Sequence, residues 1–187
     1  MRYALILFLT LGFLGESWAQ TGTALTTHDR IIRTDEGNFM VSEPLGWLLD
    51  LHPAGVEEAV AVLFPKGTSL QTAPSVIYIS TFNKDDQGFK DLGTWVEKDE
   101  AEVRQAGPQV EVKLGPLLYT RLHKTAVTRF YLDEPKKQFE GAVYIEEKDL
   151  VIRLSLESGD GKIFNEDLPA LQELVASYEW MWDRPDK

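Results

Sequence analysis

Three histidines, His28, His52 and His123, are the side chains best suited to metal or proton chemistry in this chain. They fall in three separate segments, with none of the i, i+4 or short-loop spacings that assemble a zinc site. That spacing fits ordinary surface or strand-end histidines. The sequence has no cysteine, so thiol catalysis and disulfides are excluded. It has no Gly-x-Ser-x-Gly elbow to raise a serine nucleophile. Asn83, Asp85, Gln87, Gly88 and Asp91 match a calcium loop only in part, because Thr94 stands where a bidentate Glu is required and the first position is not Asp. Residues 83–88 are instead expected to open a helix, with a side chain capping its first turn. Glu146, Glu147 and Asp149 crowd one turn around Lys148, which reads as a solvated hairpin tip. Nothing in the spacing fixes two carboxylates across a cleft, as glycoside hydrolysis needs. No catalytic residue, metal ligand or cofactor is assigned.

A second group of residues has binding rather than catalytic chemistry. Arg121, Arg129 and Arg153 are cations on predicted strands of an acidic chain, behind the apolar face. If the turn between the two middle strands is centred on Thr125, Arg121 lies opposite Arg129 and Tyr119 opposite Tyr131. Like charges directly opposed are unfavourable unless an anion or carboxylate lies between them. The following hairpin places Arg153 beside Glu140 and Tyr144. One reading is internal pairing, such as Arg153 with Glu140. The other is a part-cationic, part-aromatic sheet face that meets an acidic or aromatic partner segment through Tyr119, Arg121, Arg129, Tyr131 and Arg153, since Arg and Tyr commonly anchor interfaces. A one-residue shift of the turn would remove the motive, because it moves Arg129 to the other face.

The elements that must hold these residues are clearest between Gln138 and Trp182. Leu150, Ile152, Leu154 and Leu156 alternate with Val151, Arg153 and Ser155, the period of a strand with one buried face. Phe139, Val143 and Ile145 alternate likewise, and a two-residue turn at Glu147-Lys148 or Lys148-Asp149 aligns both apolar sets. Phe164, Leu168, Leu171, Leu174, Val175 and Tyr178 then recur at helical spacing, with Pro169 either near a helix start at about Glu166 or at a kink. This helix is expected to cover the leucine-rich side and leave the opposite side of the hairpin free to hold something. Upstream, strands are predicted over 38–42, 47–52, 56–64, 75–82, 117–124 and 126–132, with a short one at Val110 and Val112. A helix is predicted over about 89–105, apolar on one side except at Asp99. Arg30 to Arg33 would suit an edge strand. Trp47 and Trp95 fall on core faces, Trp180 is expected to close one end of the core, and Trp182 is left open. Many antiparallel strands with two inserted helices make an α+β fold.

The formal net charge of −11 disfavours nucleic acid and anionic membrane surfaces as partners. Met1-Arg2, the apolar run Ala4 to Leu14 and Ser17-Trp18-Ala19 read as a signal peptide, cleaved after Ala19. Residues 1–19 are then the leader, 20–37 a flexible arm, 38–182 a single domain and 183–187 a tail. With the leader removed, no second long apolar run remains to insert stably in a membrane, and the absence of cysteine rules out an acyl anchor.

Two segments carry a family resemblance. Phe39-Met40-Val41-Ser42-Glu43-Pro44-Leu45-Gly46-Trp47 resembles the opening strand, proline turn and Gly-Trp step of PsbP-like proteins. Tyr144 through Ser177-Tyr178-Glu179-Trp180 resembles their closing strand-helix unit. The resemblance to this PsbP/Mog/DcrB-like superfamily implies a mostly antiparallel curved sheet with helices packed on it. It also implies a protein-binding or accessory role without enzymatic activity. The resulting expectation is an exported module of the cell envelope, periplasmic or secreted, that binds another envelope protein or peptide segment. The alternatives are an envelope hydrolase or metal-dependent enzyme, whose histidines would meet a carboxylate in a cleft, and a small-molecule carrier, which needs an apolar pocket between a helix and the sheet. Under the binding reading, the largest concavity should be lined by aromatics and arginines.

Overall fold

The computed structural model describes residues 29–183 except 36 and 57. The expected leader, the first part of the arm with His28, and the last four residues of the tail lie outside the described residues. In chain order the elements are β1 (Asp29–Arg33), β2 (Gly37–Ser42), β3 (Trp47–Asp50), β4 (Ala61–Pro65), β5 (Ser75–Asn83), α1 (Lys84–Gln87), α2 (Leu92–Ala106), β6 (Glu111–Leu114), β7 (Leu118–Tyr119), β8 (Thr125–Asp133), β9 (Gln138–Glu146), β10 (Leu150–Ser158), α3 (Gly161–Ser177) and β11 (Glu179–Asp183).

The larger sheet has the order β3-β4-β5-β10-β9-β8-β6, with β7 also pairing to β8. A smaller sheet has the order β1-β2-β11. Every pairing is antiparallel. Helices pack on this antiparallel framework, so the α+β class holds. The hairpin of β9 and β10 closes through Lys148-Asp149, with Glu147 N–H donating to the Leu150 carbonyl at 2.9 Å. Its register sets Leu154 opposite Val143 and Ile152 opposite Ile145, so the two apolar sets share one face.

That face meets α3 and the smaller sheet. Ile152, Leu154 and Leu156 of β10, Leu171, Leu174 and Val175 of α3, and Phe39 and Val41 of β2 form one buried cluster. Full burial of each Leu or Ile side chain contributes about 1.5–3 kcal/mol before entropy is charged against it. The helix starts at Gly161, earlier than Glu166, because Asp160 caps it by accepting from Lys162 N–H and Ile163 N–H. It therefore runs through Pro169.

Several expected strands are shorter than the patterning suggested. The segment 56–64 is strand only over Ala61–Pro65, and 117–124 only over Leu118–Tyr119. Residues 179–183, expected to be a helix end and tail, pair with β2 instead. Asp29–Arg33 of the expected arm pairs with β2 from its other side. Trp47 and Trp95 are buried, and Trp180 is partly buried against the main core.

Candidate functional site

The face of β10 opposite α3 carries Val151, Arg153, Ser155 and Glu157. Strand pairing brings Tyr144 and Glu140 of β9 opposite Arg153 and Glu157, and Tyr131 of β8 opposite Glu140. Helix α2 roofs one half of this face. Its start is fixed by Asp91, whose side chain accepts from Thr94 N–H. Trp95 and Val96 point down, and Trp95 packs on Tyr144 and Phe82 at ring-centre distances of 5.4 and 4.8 Å. One turn on, Asp99 breaks the apolar stripe and faces the sheet. It accepts from Tyr144 OH at 2.5 Å and Tyr131 OH at 3.1 Å. The two hydroxyl oxygens also lie 2.7 Å apart, so the two protons are shared among three short contacts, and either hydroxyl can donate to the other in place of Asp99. Arg153 Nε lies 3.7 Å from Asp99, and an Arg153 terminal nitrogen donates to Glu140. Arg129 Nε donates to Glu100 of α2 at 2.5 Å.

This network is held at unusual proton affinities. Burial pushes Tyr131 and Tyr144 above the ordinary tyrosine range, and the Asp99 charge pushes the same way. Burial works against the charge on Arg153, yet Glu140 and Asp99 outweigh it and hold the guanidinium above its ordinary value. Glu140 is pushed up to about 7, chiefly by burial, with Arg153 pulling down and Glu157 and Asp99 pushing up.

The five residues expected on one face therefore separate. Arg129, Tyr131 and Arg153 lie together under α2 and bond within the chain. Arg153 does meet Glu140 and Tyr144, as the hairpin register implied. Arg121 does not lie opposite Arg129, nor Tyr119 opposite Tyr131. Tyr119 pairs with Thr125, and the partners of Arg129 and Tyr131 are Leu114 and Val112 of β6. The turn is centred near Leu122, since Thr120 N–H donates to the Lys124 carbonyl and His123 adopts positive φ. The face opposite α3 is thus partly covered, not free.

Tyr119 and Arg121 instead stand on a rim between residues 114 and 122. Leu114, Leu117, Tyr119 and Leu122 are all more than half exposed there. Arg121 reaches Asp29 at 3.3 Å and Glu179 at 3.4 Å, and donates to Ser42 Oγ at 3.2 Å. The Ser42 hydroxyl, followed by Arg121, holds the Asp29 carboxyl below its ordinary range. Behind the rim, Glu147 is buried and accepts from Tyr178 OH at 3.0 Å and Lys124 Nζ at 2.6 Å. The hairpin end is solvated at Lys148 and Asp149 as expected, but Glu147 is buried and Glu146 pairs with Lys84 at 2.9 Å.

Beyond the end of α2, the same sheet face opens into a cleft of about 590 Å3. Its charged lining is Asp133, Glu140, Glu157, Lys136 and Lys137, with Tyr78 and Tyr131 as aromatic walls. Aromatics are present as expected, but carboxylates and lysines replace the expected arginines. Asn83 caps α1 by accepting from Asp85 N–H and Asp86 N–H, as a helix-opening segment should. Among the described residues no group of three histidine or acidic side chains is arranged to hold a metal ion. No described helix is long and apolar enough to cross a membrane.

No family model matches this sequence, and no curated protein does. Solved structures do. The solution structure of cyanobacterial PsbP (CyanoP) from Synechocystis sp. PCC 6803 aligns with a TM-score of 0.54 at 13% identity, covering 86% of this chain and 96% of that one. The Saccharomyces cerevisiae Ran-binding protein Mog1p aligns with a TM-score of 0.50 at 10% identity, covering 83% and 96%. Such identities carry the architecture and nothing finer. The strand-and-helix framework that seats Asp99 beneath α2 and Leu154 beneath α3 is the PsbP-like fold.

Proposed function

We propose that this chain is a non-enzymatic protein-binding or accessory module exported to the cell envelope, periplasmic or secreted, holding a segment of another envelope protein. The observation that carries the reading is the rim at 114–122. Four large apolar side chains lie exposed there within one short stretch of a highly charged surface. Residues 112–124 carry no carboxylate of their own, and their cations Lys113, Arg121 and Lys124 pair with Glu111, with Asp29 and Glu179, and with Glu147. Such a surface suits a partner segment with an apolar face, with Tyr119 and the leucines as anchors and the Arg121 ion pairs at the polar edge. Arg129, Tyr131 and Arg153 serve it indirectly by seating α2 on the sheet. Yeast Mog1p, which has this fold, is a Ran-binding protein, and a binding role on the same scaffold agrees with the reading. A second reading, a small-molecule carrier, has a cleft of about 590 Å3 in its favour, but the charged lining there is not the apolar pocket expected for it.

The test is site-specific photo-crosslinking in the native envelope. A crosslinker at Leu117 or Leu122 should trap one discrete species that is lost on Arg121→Glu and on Leu114→Asp. A crosslinker at Lys162, exposed on α3, should not trap it. Identical products from all three positions, or products indifferent to both substitutions, would refute the rim. The exported protein should begin at Gln20.

A further inference from the structure

The cleft beyond α2 has a chemistry that the rim does not explain, and its case stands independently of the rim. Glu140 and Glu157 are directly opposed across β9 and β10, on the face that floors the cleft. Like charges so placed repel unless something cationic lies between them. Arg153 satisfies Glu140 from one side. Among the described residues Glu157 has neither a hydrogen bond nor an ion-pair partner, and its side chain is exposed within the cleft. On the neighbouring wall Asp133 is only 3% exposed, and its Oδ2 accepts no hydrogen bond. Lys136 Nζ forms an ion pair with that oxygen at 3.2 Å, so Asp133 is already neutralised. Around these oxygens lie Val76, Val103 and Val110 and the ring of Tyr78. The space is that of a small-ligand site.

We propose that this cleft binds an alkylammonium group on an aliphatic stem. The ammonium would donate to Glu157 and bridge to Glu140, and the methylene stem would lie along Val76, Val110 and the Tyr78 ring. An ammonium suits the floor because it supplies three donors and a point charge to Glu157, which has neither, beside a Glu140 that Arg153 holds from one side only. Its stem suits the walls because each buried methylene contributes about 0.8 kcal/mol. Glu157 reaches solvent at the cleft surface, yet the surrounding cleft walls desolvate it enough to raise its pKa above the ordinary value, against the pull of Arg153. A bound cation lowers the pKa of Glu157 and Glu140 alike, so binding should release protons and tighten as pH rises through neutrality.

The test is titration of the intact protein with 1,5-diaminopentane, followed by backbone amide shifts, at fixed ionic strength. Saturable shifts are expected at Val76, Tyr78, Glu140 and Glu157, weakened at least tenfold in Glu157→Gln and tighter at pH 8 than at pH 6. Hexanoate, of similar length and opposite charge, should shift none of them saturably. Three results would overturn the proposal: saturable binding of hexanoate at least as tight as the diamine, diamine affinity unchanged in Glu157→Gln, or the same shifts from ammonium chloride alone. Glu157 is exposed, so its Gln variant should fold, and an unchanged amide spectrum elsewhere verifies that it has.

Discussion

Asp99→Ala is the most direct test of how α2 is held. The substitution removes the acceptor for Tyr144 OH at 2.5 Å and Tyr131 OH at 3.1 Å. The hydroxyls still bond each other at 2.7 Å, so only one donor is orphaned. An orphaned buried donor costs about 1–3 kcal/mol. Arg153 keeps Glu140, so the full penalty of an uncompensated buried charge does not apply. Its Nε loses its nearest carboxylate, which adds roughly 1 kcal/mol of a weakened charged contact. Alanine's better helix propensity returns about 0.5 kcal/mol. The net expectation is a loss of about 1.5–3.5 kcal/mol, or roughly 3–14 °C in Tm for a domain of this size. Urea unfolding followed by tryptophan fluorescence measures it, since Trp95 packs on Tyr144 within the affected cluster. In a double-mutant cycle with Tyr144→Phe, the effects should be less than additive by about 1 kcal/mol or more. A single-variant loss under about 0.5 kcal/mol, or strict additivity, would show that Asp99 is a bystander.

Two further outcomes follow from the same geometry. Glu140 has a folded pKa of about 7. The native state therefore holds a proton that the unfolded chain releases near the ordinary Glu value. Stability should fall as pH rises from about 4.5 to 7, by up to about 3 kcal/mol, and Glu140→Gln should flatten that part of the pH-stability curve measured by urea midpoint. An unchanged slope would place the titration elsewhere. Asp160→Ala should cost about 1 kcal/mol by removing the α3 cap, read as a lower urea midpoint at constant m-value; no shift would mean that Pro169 and packing alone fix the helix start.

The sequence made some of this legible and hid the rest for physical reasons. The β9-β10 hairpin and α3 are local, and their periods are set by burial on a single face, so Leu154, Val143 and Leu174 were readable as core. The β8 pairing was not. Its upstream partner is divided between β6 and β7, and Gly115-Pro116 separates them, so a single hairpin centred on Thr125 was the wrong geometry. Gly115 itself lies against β8, where a Cβ would come within 2.5 Å of Thr128. Asp99 stood out as a polar break in an apolar stripe, but its partners are 32 and 45 residues downstream and no local pattern names them. Glu147 looked like a turn carboxylate because Tyr178 approaches it from α3, 31 residues away. The hairpin register placed Glu140 beside Arg153, but it did not single out Glu157 opposite Glu140, because facing partners need the register of two strands at once.

The smaller sheet joins the two ends of the described chain. β2 pairs with β1 on one side and β11 on the other, and Ser42 N–H donates to Ser177 Oγ across 135 positions. While the polypeptide is emerging, β2 therefore waits for its second neighbour until Glu179 and Trp180 have been made. The compartment around Phe39 and Tyr178, whose rings sit 5.4 Å apart, cannot seal before then. Closure of such distant contacts is slow and late, so a chain caught before synthesis or passage is complete should remain open, accessible to chaperones and to proteases, until its final strand docks.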